Sequence, residues 1–102
     1  MNILQNKTAY ITGGSKGVGY GIAKILLQNG MNVAITGRNL SAVEAAAASL
    51  TTDSSKILAI QSNVSHMKDE VKAIESTVAK FGKIDVVVAN AGVGYFVPFD
   101  DL

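Results

Sequence analysis

The chain has 102 residues, enough for one domain and not two. Hydrophobic residues make up 48% and charged residues 17%, which argues for a packed core and against disorder. The net charge of +1 leaves no electrostatic footprint for nucleic acid or an anionic membrane, and the lack of cysteine excludes disulfides and thiolate metal sites.

Along the chain, short apolar runs alternate with longer helical patterns. The opening MNILQNKTAYITGG lacks the basic region and long apolar run of a signal peptide. Residues 7–12, KTAYIT, read as a strand ended by glycines. Residues 17–29 place Ile22, Ile25 and Leu26 on one helical face, with Gly30 as the stop. Residues 31–36, MNVAIT, form a second strand. Ser41 and Glu44 have capping-box spacing for an alanine-rich helix running to about Leu50. Residues 56–62, KILAIQS, form a third strand. Ser65 is the expected cap of a helix with Asp69 and Glu70 in its first turns, where the helix dipole favours acids. Val71, Ile74, Val78 and Phe81 make the stripe of that helix, and Gly82 ends it. Residues 84–90, IDVVVAN, form a fourth strand, apolar on both faces and therefore suited to burial between helices.

The order βαβαβαβ implies right-handed crossovers and a parallel sheet. No stretch approaches the roughly 20 apolar residues of a membrane helix. A soluble, cytoplasmic α/β protein is the expectation.

The stretch T12-G-G-S-K-G-V-G19 falls where the first strand hands over to the first helix. There the helix N-terminus presents unpaired N–H groups and a partial positive charge, which together hold an anion. Gly13 is expected to make the turn, Gly17 to let a pyrophosphate approach the backbone, and Gly19 to let the helix pack on the sheet. Ser15 offers a hydroxyl to phosphate or ribose, and Val18 lies within the same turn. An ATP-binding P-loop is rejected: Gly14 and Gly19 have its spacing, but Tyr20 stands where its lysine must be. A dinucleotide site selects NAD through an acid near the end of the second strand. Here that strand ends T36-G-R-N39, with Arg38 and no acid. A guanidinium pairs bidentately with phosphate, so Arg38, with Lys16 as a second cation, points to NADP(H).

These residues resemble the short-chain dehydrogenases/reductases. T12-G-G-S-K-G-V-G19 resembles the family's T-G-x-x-x-G-x-G turn, A89-N-A-G92 its N-N-A-G motif, and N63-V64 its D-V pair. The resemblance covers the whole chain and is nearest to NADPH-dependent members similar to the 3-oxoacyl-carrier-protein reductases. It implies a Rossmann-type three-layer αβα fold: part of a doubly wound parallel sheet with strand order 3-2-1-4. It also implies that Asn63 faces the adenine amine, that Val64 packs on the adenine ring, and that Asn90, Ala91 and Gly92 line the adenosine ribose. Asn63 replaces the family's usual aspartate, and Ala89 replaces the first asparagine of its motif.

The resemblance further implies hydride transfer between a nicotinamide and a carbonyl or alcohol. In the family a tyrosine acts as acid/base, with a lysine four residues on, a serine and an asparagine, all beyond the N-N-A-G motif. Residues 1–102 are therefore expected to be an NADP-binding half-domain truncated before the catalytic segment, inactive alone. A non-catalytic nucleotide-binding module and a self-associating interaction module are the alternatives. Tyr20 and Lys24 have the Y-x-x-x-K spacing, but on the first helix, far from the nicotinamide. Tyr10 is expected in the core, and His66 at a helix start. Pro98 and Asp100 read as start signals of a further helix. The fourth strand would then be an apolar edge, predicting self-association there.

Overall fold

The computed structural model describes residues 3–13, 17–63, 65–89 and 96–98. In chain order the elements are β1 (Thr8–Thr12), α1 (Gly17–Gln28), β2 (Asn32–Gly37), α2 (Leu40–Leu50), β3 (Ile57–Gln61), α3 (Met67–Phe81), β4 (Val86–Ala89) and β5 (Phe96–Pro98). One sheet runs in the order β3-β2-β1-β4-β5. Its first four strands are parallel and follow the expected 3-2-1-4 order of a Rossmann-type fold.

Period-two alternation divides the core between the sheet's two faces. Ala9, Ile11, Val33, Ile35 and Val88 pack with Ala23 of α1 and Val43, Ala46 and Ala47 of α2. Tyr10 and Ala34 point the other way, packing with Ala73 of α3 and Ile84. Every residue of β1 is consequently buried, as a central strand covered on both faces requires. Among the described residues, no helix is long and apolar enough to cross a membrane.

The apolar stripes seat in part: Ile22 and Leu26 of α1, and Ile74 and Phe81 of α3, pack against the core as expected, but the most deeply buried positions are others. In α1, Ile25 is 58% exposed and the buried positions are Gly19 and Ala23. In α3 the buried positions are Ala73 and Thr77, whereas Val71 and Val78 are exposed. Small residues let a helix lie close on the sheet, and the Thr77 hydroxyl is satisfied by the Ala73 carbonyl at 2.8 Å. A rule that looks for large apolar side chains passes over such a face.

The caps also move. Asn39, not Ser41, caps α2: its side-chain oxygen accepts from the Ala42 N–H at 3.1 Å. His66, not Ser65, occupies the N-cap position of α3 and makes no side-chain cap bond. Asp69 and Glu70 do lie in that helix's first turn, and Gly82 closes it as expected.

The edge of β4 departs from expectation as well. The segment expected to lead into a helix instead contributes β5, which pairs antiparallel with β4, Val86 opposite Pro98 and Val88 opposite Phe96. The backbone groups whose exposure motivated self-association through β4 are thus taken by the chain's own β5, and Pro98 sits on an outer strand, where sheets tolerate proline. Asp100 lies outside the described residues.

Candidate functional site

Parallel strands carry all their C-terminal ends to one edge of the sheet. In register, Thr12 lies beside Thr36 on one side and Ala89 on the other, and Gly37 lies beside Gln61. Gly13 and Arg38 follow directly on their strands and Asn63 stands two residues past β3, so residues spread over fifty positions share one edge. In open α/β sheets this edge is where ligands bind.

The glycine turn starts with a left-handed residue, Gly13, at φ 70°. Its N–H donates to the Thr36 carbonyl at 3.0 Å, so this amide fastens the turn to β2 rather than presenting itself to a ligand. Gly17, at φ 65°, opens α1, and a β-carbon built there would meet no described residue within 4 Å. Its need for glycine is therefore conformational, and the space above its Cα is open. Val18 is 68% exposed beside it, while Gly19 is buried against the sheet. The first amides of α1 have no acceptor within the helix. Ser15 and Lys16 lie outside the described residues.

Arg38 is exposed immediately past β2. The Gln61 side-chain amide donates to its carbonyl at 3.1 Å, which ties this loop to the end of β3. Among the described residues, the Arg38 guanidinium enters no ion pair. The next residue, Asn39, is committed to capping α2, so the loop is held on both sides of the arginine.

Asn63 is more engaged than its sequence position suggests. Its Oδ1 accepts from the Ser65 N–H at 3.0 Å and the Ser65 hydroxyl at 2.7 Å, and its own N–H donates to Asp69 Oδ2 at 3.1 Å. Both lone pairs of the oxygen expected to face adenine are already occupied in an Asx turn. Val64, Asn90, Ala91 and Gly92 lie outside the described residues. The sequence marks Gln61 only as a strand residue and Asp69 only as a first-turn acid, not as the partners of these loops. The N-x-S spacing of residues 63–65 is an available signal for the turn, but nothing local marks Gln61 as a partner.

The Tyr20 hydroxyl pairs with Ser49 Oγ at 2.8 Å, joining α1 to α2. Tyr10 is a core residue, 2% exposed, and its hydroxyl donates to the Glu70 carboxylate. Burial first, and then the neighbouring Glu70, hold the Tyr10 phenol well above its ordinary pKa. His66 stands 3.9 Å from Asp69 on the surface at the start of α3. Among the described residues, no group of three or more His, Asp or Glu side chains could hold a metal ion.

Comparison with known proteins agrees with this geometry. A family model described as short chain dehydrogenase matches residues 7–102. The 3-oxoacyl-[acyl-carrier-protein] reductase of Chlamydia muridarum is 44% identical over 94 residues, covering 90% of this chain and 38% of that protein. The peroxisomal 2,4-dienoyl-CoA reductase of Danio rerio is 32% identical over 102 residues, 99% of this chain and 34% of that protein. Among solved structures, the 3-ketoacyl-(acyl-carrier-protein) reductase of Brucella melitensis complexed with NADH superposes with a TM-score of 0.76 at 33% identity, over 82% of this chain and 33% of that one. A short chain dehydrogenase of Bacillus anthracis gives 0.78 at 37% identity, over 82% of this chain and 35% of that one. The chain spans about a third of the length of these relatives.

Proposed function

The chain belongs to the short-chain dehydrogenase family, and from that membership we propose that it forms the NADP(H)-binding part of an oxidoreductase acting on carbonyl or alcohol groups. The observation that carries the reading is the pairing of Gly17 with Arg38. Among the described residues, a left-handed glycine with nothing near the position of a β-carbon begins a helix, and a guanidinium without an ion pair stands on the same sheet edge.

The residues present fit a phosphorylated dinucleotide. The opening amides of α1 at Gly17, Val18 and Gly19 would hold the pyrophosphate, with Ser15 adding a hydroxyl. Arg38 and Lys16 would hold the 2′-phosphate, in a sequence stretch that has no acid to prefer a bare ribose. Val64 would cover the adenine. Its amine would displace the Ser65 hydroxyl as second donor to Asn63 Oδ1. Asn90, Ala91 and Gly92 would line the ribose. When bound, the nicotinamide supplies a hydride acceptor or donor.

The chain's own contribution is then binding and orientation. Its only Y-x-x-x-K pair is Tyr20 and Lys24, and the Tyr20 hydroxyl is engaged by Ser49. The reading therefore assigns no catalytic residue to positions 1–102, and proposes binding without turnover for this chain by itself.

Calorimetric titration with NADPH and NADH tests this. Binding of both, with NADPH tighter, is expected. Failure to bind either dinucleotide would overturn the cofactor reading, and reduction of a simple ketone by the chain alone would overturn its catalytic half.

A further inference from the structure

We infer that a buried water molecule on the α3 face of the sheet joins the hydroxyls of Thr36 and Ser62 to the carboxylate of Glu70, and that this bridge positions the loops carrying Arg38 and Asn63. Thr36 Oγ1, Ser62 Oγ and Glu70 Oε1 are all shut off from solvent, and among the described residues none has a partner of good hydrogen-bond geometry; the Thr36 hydroxyl only approaches that of Tyr10. Thr36 and Ser62 are 0% and 1% exposed. Buried polar atoms in native proteins are almost always satisfied, by protein or by ordered water.

The register brings the three together. Thr36 lies beside Ile60, and Ser62, two residues on, shares Ile60's face of the sheet. Tyr10 lies beside Ala34, two residues before Thr36 and on the same face. Glu70 descends on this cluster from α3, and its Oε2 accepts from the Tyr10 hydroxyl. Because the Tyr10 phenol is held in its protonated form, it remains a donor to that oxygen, and Oε1 is left to be satisfied otherwise.

The donor–acceptor count suits one water. A carboxylate oxygen only accepts, whereas each hydroxyl both donates and accepts. Water can donate to Glu70 Oε1, accept from one hydroxyl and donate to the other. Three partners is the usual number for a buried water.

The position of the cluster matters for the site. Ser62 precedes Asn63, Thr36 lies two residues before Arg38, and Glu70 follows Asp69, whose carboxylate receives the Asn63 N–H. The first turn of α3 thus grips the Asn63 loop from the surface through Asp69, and through Glu70 it grips the two strand ends from beneath. That this alignment serves dinucleotide binding rests on the function proposed above.

A crystal structure of the chain at atomic resolution is the direct test. An ordered water within hydrogen-bonding distance of Thr36 Oγ1, Ser62 Oγ and Glu70 Oε1 is expected. An empty gap there, or direct bonding among these side chains, would overturn the bridge. The positioning role is read from Ser62→Ala, with Ser62→Thr as the conservative control. Ser62→Ala should speed hydrogen exchange at the Asn63 amide without affecting β1, and should weaken NADPH binding severalfold. Ser62→Thr should restore both. Unchanged exchange at Asn63 would overturn the positioning role. A wild-type chain that contains the water but binds no dinucleotide would leave the bridge standing and remove the cofactor reading. Should Ser62→Ala fail to fold, the wild-type crystal structure still decides the bridge.

Discussion

Thr8 and Asp85 hold each other twice. The Thr8 N–H donates to Asp85 Oδ2 at 2.8 Å, and the Asp85 N–H donates to the Thr8 carbonyl at 2.8 Å. Both residues are buried, and Lys83 reaches the same carboxylate oxygen at 3.3 Å. This reciprocal pair stands one residue before the Ala9–Val86 pairing, so it fixes the register that brings Ala89 beside Thr12 at the candidate site. Replacing Asp85 by Ala strands a buried N–H that had a charged acceptor, an expected loss of about 1.5–3 kcal/mol in denaturant unfolding. Lys83→Ala removes only a half-exposed ion pair and should cost under about 1 kcal/mol.

Arg38→Ala should weaken NADPH binding by about 1.5–3 kcal/mol, the range for hydrogen bonds to charged groups, while barely changing NADH binding. Paired calorimetric titrations check this. Equal losses for the two cofactors would mean that the arginine does not read the 2′-phosphate.

Gly17→Ala separates conformation from space. A β-carbon there meets no atom of the described residues, so its cost to the fold is the left-handed backbone, about 1–2 kcal/mol. The same methyl would occupy the open space proposed for the pyrophosphate, so dinucleotide affinity should fall by more than the stability loss accounts for. Thermal unfolding and titration of the same variant give both numbers.

Tyr10→Phe leaves the Glu70 carboxylate without its buried donor and should cost about 1–3 kcal/mol at neutral pH. The pH dependence has a definite sign. Because the folded pKa of Tyr10 is raised above the unfolded value of 10.0, its contribution is complete below pH 10. It is lost as pH rises further, where the unfolded chain releases a proton that the folded chain keeps. Unfolding curves measured on both sides of pH 10 should therefore decline less steeply in the variant than in the wild type.

Asn39→Ala should destabilise the fold by about 1 kcal/mol through loss of the α2 cap, and Ser41→Ala should stay within about 0.5 kcal/mol. Denaturation midpoints of the two variants compare the capping oxygen that the structure uses with the one that the capping-box spacing suggested.

Much of the architecture is readable before any coordinates. Alternating apolar runs and helical periods are local properties of the chain, and right-handed crossovers leave few ways to arrange four parallel strands. Among these the resemblance to the short-chain dehydrogenases implies the order 3-2-1-4, and parallel strands in that order bring Gly13, Arg38 and Asn63 to one edge. The left-handed turn is legible for the same reason, since a run of glycines between strand and helix has few other physical uses.

Packing and partner choice were decided only in three dimensions. The closest approach of α3 to the sheet runs through Ala73 and Thr77 because it favours small side chains; a search for large apolar residues finds Ile74 and Phe81, which do pack on the core, but also Val71 and Val78, which are exposed. The fourth strand's outer edge is closed by β5, a pairing that no local pattern announces. Asn63 spends its oxygen on Ser65, and Tyr10 meets Glu70 across sixty positions of sequence, because each contact depends on where a strand end and a helix start come to rest. Local backbone preference is written residue by residue, but which polar atoms satisfy one another is settled when distant segments are pressed together and water is driven out.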